Sequence, residues 1–342
     1  MCPENLVVSE AQAIKISSNS DCKPLGIDGG IDPIFHSVSV VIPCWNSSAY
    51  IEKTIKSVLN QKCVIAKIIV VDDGSTDNSC DVVRQFGSSV DLIASAHIGS
   101  AAARNLGLSL VSSRYVMFLD SDDWLREDAI SEWILSGEKT QADIVFGPWS
   151  WVWPNGRERP GYPEMIKIQS KNQLLGEWLC GKYIPPVAVL WRTVFIQNIG
   201  GWNNASKRND DGDLVCRALS EDLVRISITD RGQGFYRQHS SPQRISTRRT
   251  FEAINSTIQA LESLEEKIES LKDPNLRLAL AVAYYLRARE AFRLGWIDLG
   301  YLALAKSRRL GMKGHSGTLC HRAISSIFGL RGKELLAAIM TF

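Results

Sequence analysis

From Ser37 onward the hydrophobic pattern switches between two periods. SVSVVIP (37–43) reads as a strand that becomes buried, and Ile51, Ile55, Val58 and Leu59 follow at helical spacing. Asn46, Ser47 and Ser48 offer caps for that helix, and Glu52 suits its first turn. AKIIVV (66–71) predicts a second strand, DLIA (91–94) a short one, YVMFL (115–119) a third long one, and ADIVF (142–146) another. Val82, Val83 and Phe86, the stretch 100–111, and Glu127–Ser136 predict the intervening helices. Strand and helix alternate without hairpin signals, which predicts an α/β fold: a mostly parallel, Rossmann-like sheet with helices on both faces.

The flanking regions differ. Residues 1–36 lack periodicity, and GIDGGIDP (26–33) is turn-rich, so they are expected to form a mobile or wrapping extension. Residues 147–200 read as irregular and hold Trp149, Trp151, Trp153, Trp178 and Trp191. Such rings usually pack under loops, although one or two could stack on a ligand. From about Thr250 the chain reads helical, with neither metal-spaced ligands nor a Gly-rich phosphate loop.

Composition narrows the class. The chain has 342 residues, 45% hydrophobic and 22% charged, with a formal net charge of +2, too balanced for nucleic acid as the main partner. Eight cysteines form no C-x-x-C pair, which argues against a zinc or thioredoxin-like site; scattered thiols fit a reducing cytosol. The N-terminus lacks a signal-peptide pattern, and the longest apolar run, Leu278–Leu286, is far short of the roughly 20 residues a bilayer requires. A soluble, cytoplasmic protein is expected, with peripheral contact to the inner face of the cell membrane left open.

In open α/β sheets, ligands bind outside the carboxyl ends of the strands. Three polar clusters fall there. Asp120-Ser-Asp122-Asp123 places three carboxylates within four residues, which repel unless a cation or strong donors intervene. Mg²⁺ or Mn²⁺ held by one or two of them and by substrate phosphates suits that chemistry, while Ser121 or Asp123 could instead cap a helix. Asp72-Asp73-Gly-Ser75-Thr-Asp77 ends a strand in an acidic turn, where Ser75 or Asp77 could also cap. Pro43-Cys-Trp45-Asn46 presents a flat ring at the same edge. Fourth, Gly99-Ser-Ala-Ala-Ala-Arg104-Asn-Leu-Gly107 carries small residues that let a helix approach the sheet and fix Arg104, a permanent cation, near phosphate or carboxylates.

Taken in order, VIPCWN, VDDGSTD, GSAAARNLG and LDSDD resemble the hallmarks of the family 2 glycosyltransferases of the GT-A fold, closely over about 90 residues and loosely to about 240. The resemblance implies a nucleotide-sugar site in which Pro43 belongs to the donor-binding residues, Trp45 stands against the nucleobase and Asp73 hydrogen-bonds it, with Asp72 close by. Asp120 would contact the ribose or base side, and Arg104 would lie near the diphosphate. Asp122 would ligate Mn²⁺ or Mg²⁺, with Asp123 orienting or capping. Further on, GGWN (200–203) and DDGDLVCR (210–217) resemble the family's G-G-[FW]-[DN] and E-D-x-x-L-x-x-R, with Asp210 where the family has glutamate. Asp211 is then the candidate general base, with Asp213 as its rival. YRQH (236–239) resembles a segment that closes the donor site, so Arg237 could clamp phosphate and His239 approach the metal.

The implied division is an extension (1–36), a GT-A domain (37–245, donor half 37–147 and acceptor half 148–245) and a helical region (246–342). The implied reaction is inverting transfer from a nucleoside-diphosphate sugar, UDP-sugar first, to a saccharide or lipid-linked saccharide acceptor in bacterial surface polysaccharide or lipopolysaccharide assembly. A nucleotidyltransferase and a non-catalytic binding module are the rivals. The first would favour a Gly-rich phosphate loop, and the second would fit degraded carboxylates; neither feature is present. Finally, residues 302–334 hold seven basic residues against one acid, Glu334. They read as a solvated helical face or homodimer surface, or as peripheral membrane contact through 302–342.

Overall fold

A computed structural model describes residues 35–239, 249–315 and 319–339. The expectations for residues 1–34 and for the boundary at 245–246 lie outside them. Among the described residues the main sheet has seven strands: β1 (Phe35–Cys44), β2 (Ile65–Asp72), β3 (Asp91–Ala94), β4 (Tyr115–Phe118), β6 (Ile144–Phe146), β9 (Val189–Arg192) and β10 (Ile226–Ile228), in the order β10-β6-β9-β4-β1-β2-β3. Only β9 runs antiparallel to its neighbours, β4 and β6. The sheet is therefore mostly parallel, as the alternating pattern predicts.

The period of 2 divides each strand between two cores. Val41, Ile69, Val71, Val116 and Phe118 face one side; Val40, Ile42, Ile68, Val70 and Met117 face the other. Helices α1 (Ile51–Leu59) and α4 (Ala129–Thr140) cover the second side with Ile51, Ile55, Ile130 and Trp133. Helix α2 (Ser79–Arg84) joins them there through Val83, and helix α3 (Ser100–Ser109) covers the first side. Its approach is close enough that a Cβ at Gly107 would sit 2.3 Å from Val41 Cγ1, so only glycine fits there.

Residues 147–200 are more ordered than the irregular pattern suggests. They contain β7 (Trp149–Val152), β8 (Glu158–Pro160), α5 (Lys171–Leu179), β9 and α6 (Thr193–Asn198). Strand β9 follows Pro185 and Pro186 yet lies inside the sheet, because neighbours on both sides override the local breaker signal. Trp149, Trp178 and Trp191 are buried. A second sheet, of order β5-β11-β7-β8, joins β5 (Trp124–Leu125) to β11 (Gly234–Arg237). That pairing sets Phe235 opposite Trp124 and carries the chain from 237 to 239 past the end of β4.

After α7 (Asp210–Leu219), the chain continues in α8 (Phe251–Ser270), α9 (Pro274–Arg293), α10 (Ile297–Arg309) and α11 (Leu319–Ile339). Leu276, Leu280, Tyr284, Tyr285 and Phe292 of α9 belong to the same apolar core as one face of the sheet. The basic residues of this region are partly spent on packing. Glu334, fully buried, accepts from Arg289 and Arg293 and pairs with Lys333, while Lys306 and Arg309 pair with Glu262 and Glu265 of α8. Among the described residues no helix is long and apolar enough to cross a membrane. Cys44, Cys80, Cys180 and Cys216 are free thiols, and Cys63 is disulfide-bonded.

Candidate functional site

The parallel register brings three strand ends to one edge: Cys44 pairs with Asp72, and Val41 with Phe118. The loops that follow are tied to one another by their own polar side chains. Asn46, held at φ 49°, donates its N–H to Ser75 Oγ (2.9 Å) and accepts from the Thr76 N–H (2.8 Å). Ser47 donates its N–H to Ser79 Oγ at 2.8 Å, and its hydroxyl meets that of Ser121 at 2.7 Å. Asp77 accepts from the N–H groups of Ser48 and Ser79, both at 3.0 Å. Many of the motif residues thus hold loops rather than ligand. Ser121 and Asp123 cap no helix, since α4 begins only at Ala129.

Asp73 is buried, and its carboxylate accepts from the N–H groups of Ile98 (2.6 Å) and Gly99 (2.9 Å) and from Ser95 Oγ (3.0 Å). It thereby fixes the loop carrying His97, whose ring centroid is 5.0 Å from that of Trp45. Asp72, also buried, accepts from the Ser75 N–H at 3.1 Å.

Arg104 is the centre of the site. Its side chain is only 7% exposed, and it donates to Asp120 Oδ1 at 2.5 Å and to Asp210 Oδ2 at 2.7 Å. The guanidinium also lies 4.3 Å from the Trp202 ring centroid. One cation thus joins the end of β4 to the start of α7. Asn105, next in the chain, accepts from the Trp202 N–H (2.9 Å) and donates to the Trp202 carbonyl (2.8 Å), so α3 holds the GGWN loop as well. A Cβ at Gly201 would meet Asn105 Oδ1 at 2.6 Å.

Asp210 is taken up by Arg104 and by Ser100, whose hydroxyl donates at 3.2 Å. Asp211 accepts from the Gly212 N–H at 2.9 Å. Burial, reinforced by the charge of Asp210, raises its carboxyl to about 7. Burial also raises Asp120 above the ordinary carboxylate range, with Arg104 opposing. Asp213 pairs with Arg217 at 2.8 Å and is buried away from the cavity, which removes it as the rival base.

At the other side of Asp120, Asp122 Oδ2 is 2.7 Å from His239 Nε2. The His239 ring stacks on Tyr50 with centroids 5.4 Å apart. Arg237 donates its N–H to Asp123 Oδ1 (2.8 Å) and its Nε–H to the Asp122 carbonyl (2.7 Å). Its guanidinium lies 4.6 Å from the Trp124 centroid. Arg237 thus holds the acidic turn in shape. A carboxylate oxygen beside an imidazole nitrogen is a donor set that fits a divalent cation, completed by phosphate oxygens. Among the described residues no group of three or more His, Cys, Asp or Glu could hold a metal alone.

These residues line one cavity of about 950 Å³. Pro43, Trp45, Asp73, Arg104, Asp120, Asp122, Asp211 and His239 all face it, whereas Asp72 and Arg237 stand behind it as supports. Trp178 is the one tryptophan of the 147–200 cluster in its lining. Sequence reasoning missed a mostly cationic wall of the same cavity: Lys182, Tyr183, Lys207, Arg208, Arg249, Arg287 and Glu290. Lys207 and Arg208 immediately precede the acidic start of α7 and could have been flagged; α9 carries no motif.

Residues 39–198 match the family model described as Glycosyl transferase family 2. Among curated proteins, the glycosyltransferase GlyA of Streptococcus pneumoniae is 37% identical over 114 residues, 32% of this chain and 16% of that protein. The poly(ribitol-phosphate) beta-N-acetylglucosaminyltransferase TarP of Staphylococcus aureus is 35% identical over 129 residues, 36% of this chain and 39% of that protein. The chain spans between a tenth and two fifths of the length of such relatives. Among solved structures, residues 1–349 of TarS from S. aureus in complex with UDP-GlcNAc superpose with a TM-score of 0.59 at 19% identity, over 80% of this chain and 92% of that one. The mannosyltransferase PcManGT of Pyrobaculum calidifontis, in complex with GDP-Man and Mn²⁺, gives 0.50 at 16% identity, over 92% of this chain and 89% of that one. At these identities the likeness is one of fold, and that fold is GT-A.

Proposed function

With residues 39–198 belonging to glycosyl transferase family 2, we propose that this protein is an inverting, metal-dependent glycosyltransferase. It moves a sugar from a nucleoside-diphosphate sugar, UDP-sugar first, to an acceptor hydroxyl in bacterial surface polysaccharide assembly. The observation that carries the reading is the meeting of Asp120, Asp122, His239, Arg104, Asp210 and Asp211 in one cavity, with the Asp211 carboxyl near 7. The UDP-GlcNAc and GDP-Man complexes of the structural neighbours, and the cell-wall relatives, support the substrate class.

Each residue has a task in this reading. Trp45, beside Pro43 and with His97 leaning on it, offers the base a flat face. Asp73 shapes the loop against which the base lies. Arg104 keeps Asp120 and Asp210 apart from free solution and in register, so ribose and acceptor meet fixed groups. Asp211 takes the proton of the acceptor hydroxyl as that oxygen attacks the anomeric carbon from the face opposite the leaving diphosphate. A carboxyl poised near 7 is a stronger base than an ordinary carboxylate and is still about half ionised at neutral pH. Asp122 and His239 would hold Mn²⁺ or Mg²⁺, which neutralises charge on a leaving diphosphate.

The test is a calorimetric titration of UDP, GDP, CDP, ADP and dTDP with and without Mn²⁺, on wild type and Asp122→Ala. Metal-dependent binding of one nucleotide, lost in Asp122→Ala, is expected. No binding by any nucleotide in folded protein removes the transferase reading and leaves a non-catalytic module of the same fold.

A further inference from the structure

Beside its acidic floor the cavity has a strongly cationic wall. Arg208, buried at 9% exposure, donates both terminal nitrogens to Glu290 of α9, at 2.7 and 2.8 Å. Arg287 reaches the same carboxylate at 3.1 Å. Arg249 also acts on it, so one carboxylate answers three guanidiniums. Lys182 and Lys207 add two further charges to the same cavity; among the described residues its other acids are Asp73 and those of the floor, Asp120, Asp122, Asp210 and Asp211. Burial, with Arg208 beside it, holds the Arg287 guanidinium below its usual range despite Glu290. Like charges gathered in a half-buried wall cost stability unless an anion completes them.

Position says which anion. Lys207 and Arg208 stand directly before Asp210 and Asp211 in the loop that starts α7. A molecule whose hydroxyl reaches Asp211 therefore lays its adjoining groups against this wall. The donor diphosphate has its own partners at the strand edge, around Asp122, His239 and Arg104. We propose that the wall is the acceptor subsite and that it selects an acceptor bearing a phosphate ester close to the hydroxyl that is glycosylated. Guanidinium forks and ammonium point charges together match a tetrahedral oxyanion better than a neutral saccharide. This rests on the transferase reading for the place of the hydroxyl, but the anion preference of the wall does not.

The test uses glycerol 3-phosphate and glycerol as probes, titrated into the full chain with and without UDP and Mn²⁺. Glycerol 3-phosphate should bind at least about tenfold more tightly than glycerol, the equivalent of one or two charge-assisted contacts, and should weaken as salt is raised. Lys182→Ala/Lys207→Ala should abolish most of that preference while UDP affinity with Mn²⁺ stays as in wild type; both lysines are exposed, so folding is not at stake. Equal binding of the two probes, or none, overturns the proposal. So does a preference that survives the double substitution. If the substitution instead weakens UDP, or weakens UDP-glucuronate more than UDP-glucose, the wall reads the donor and the proposal fails. Absence of UDP binding in wild type, with the phosphate preference intact, would remove the transferase reading alone.

Discussion

Within one cavity the charge reverses, and so does the way it is held. On the floor, Arg104 is sealed between Asp120 and Asp210, and Asp122 is joined to His239, with bonds of 2.5–2.7 Å on elements that end or begin at the sheet edge. On the wall, Arg208 and Arg287 share Glu290, while Lys182, Lys207 and Arg249 stand exposed at loop and helix ends. The floor is a fixed electrostatic device, built before any ligand arrives. The wall holds charge in reserve. Changes to the floor should therefore cost rate and stability, and changes to the wall should cost selectivity.

The largest effect is expected from Asp211→Asn, which keeps the shape and removes the base. Sugar transfer should fall by about 10²–10⁴-fold, the usual contribution of a positioned general base, while calorimetry shows nucleotide binding unchanged. A rate that barely moves would take the base away from Asp211 and break the floor's claim to the chemistry.

Next comes stability. Arg104→Gln leaves one buried and one half-buried carboxylate without their cation, and denaturant unfolding should show a loss of about 3–5 kcal/mol. Arg249→Ala, on the exposed side of the wall, should change stability by no more than about 0.5 kcal/mol. If the two variants unfold alike, the contrast between fixed floor and reserve wall is wrong. Smaller again is Trp45→Ala, expected to weaken UDP by about 1–3 kcal/mol, the range for a base stacked on an aromatic ring.

The same contrast governs what could be read from the sequence. Floor residues follow strands whose apolar runs are unmistakable, and parallel pairing carries every such run to one edge; hence Trp45, Asp73, Arg104, Asp120 and Asp122 were legible together. Asp211 and His239 needed the family resemblance, because their elements reach the site through tertiary pairing, β11 on β5 and α7 on Arg104. Arg237 and Asp72 show the limit of motif reading: both belong to the site's segments, yet they brace loops behind it. Wall residues come from four stretches with no common spacing, assembled only when α9 packs on α5 and α8. A count along the chain also hides partners: of the basic residues over 302–334, Lys306, Arg309 and Lys333 are answered by acids, two of them on another helix.

The finest test concerns the link inside the floor. Asp211 is raised to about 7 by burial first and by the charge of Asp210 second. The acid limb of kcat/KM, which reports the free enzyme, should therefore lie near pH 7, with activity lost as the base is protonated below it. Asp210→Asn removes a raising influence and leaves Arg104 to act more fully on Asp211, so both changes have the same sign and the limb should move to lower pH. Stability runs the other way in pH. A carboxyl whose folded value lies above its unfolded one favours the fold below the unfolded value and loses that contribution as pH rises toward 7. Asp211→Asn should flatten this decline, and Asp210→Asn should reduce it. A limb that stays in place in Asp210→Asn would mean that burial alone sets the base, and that the aspartate found where the family carries glutamate serves only to seat Arg104.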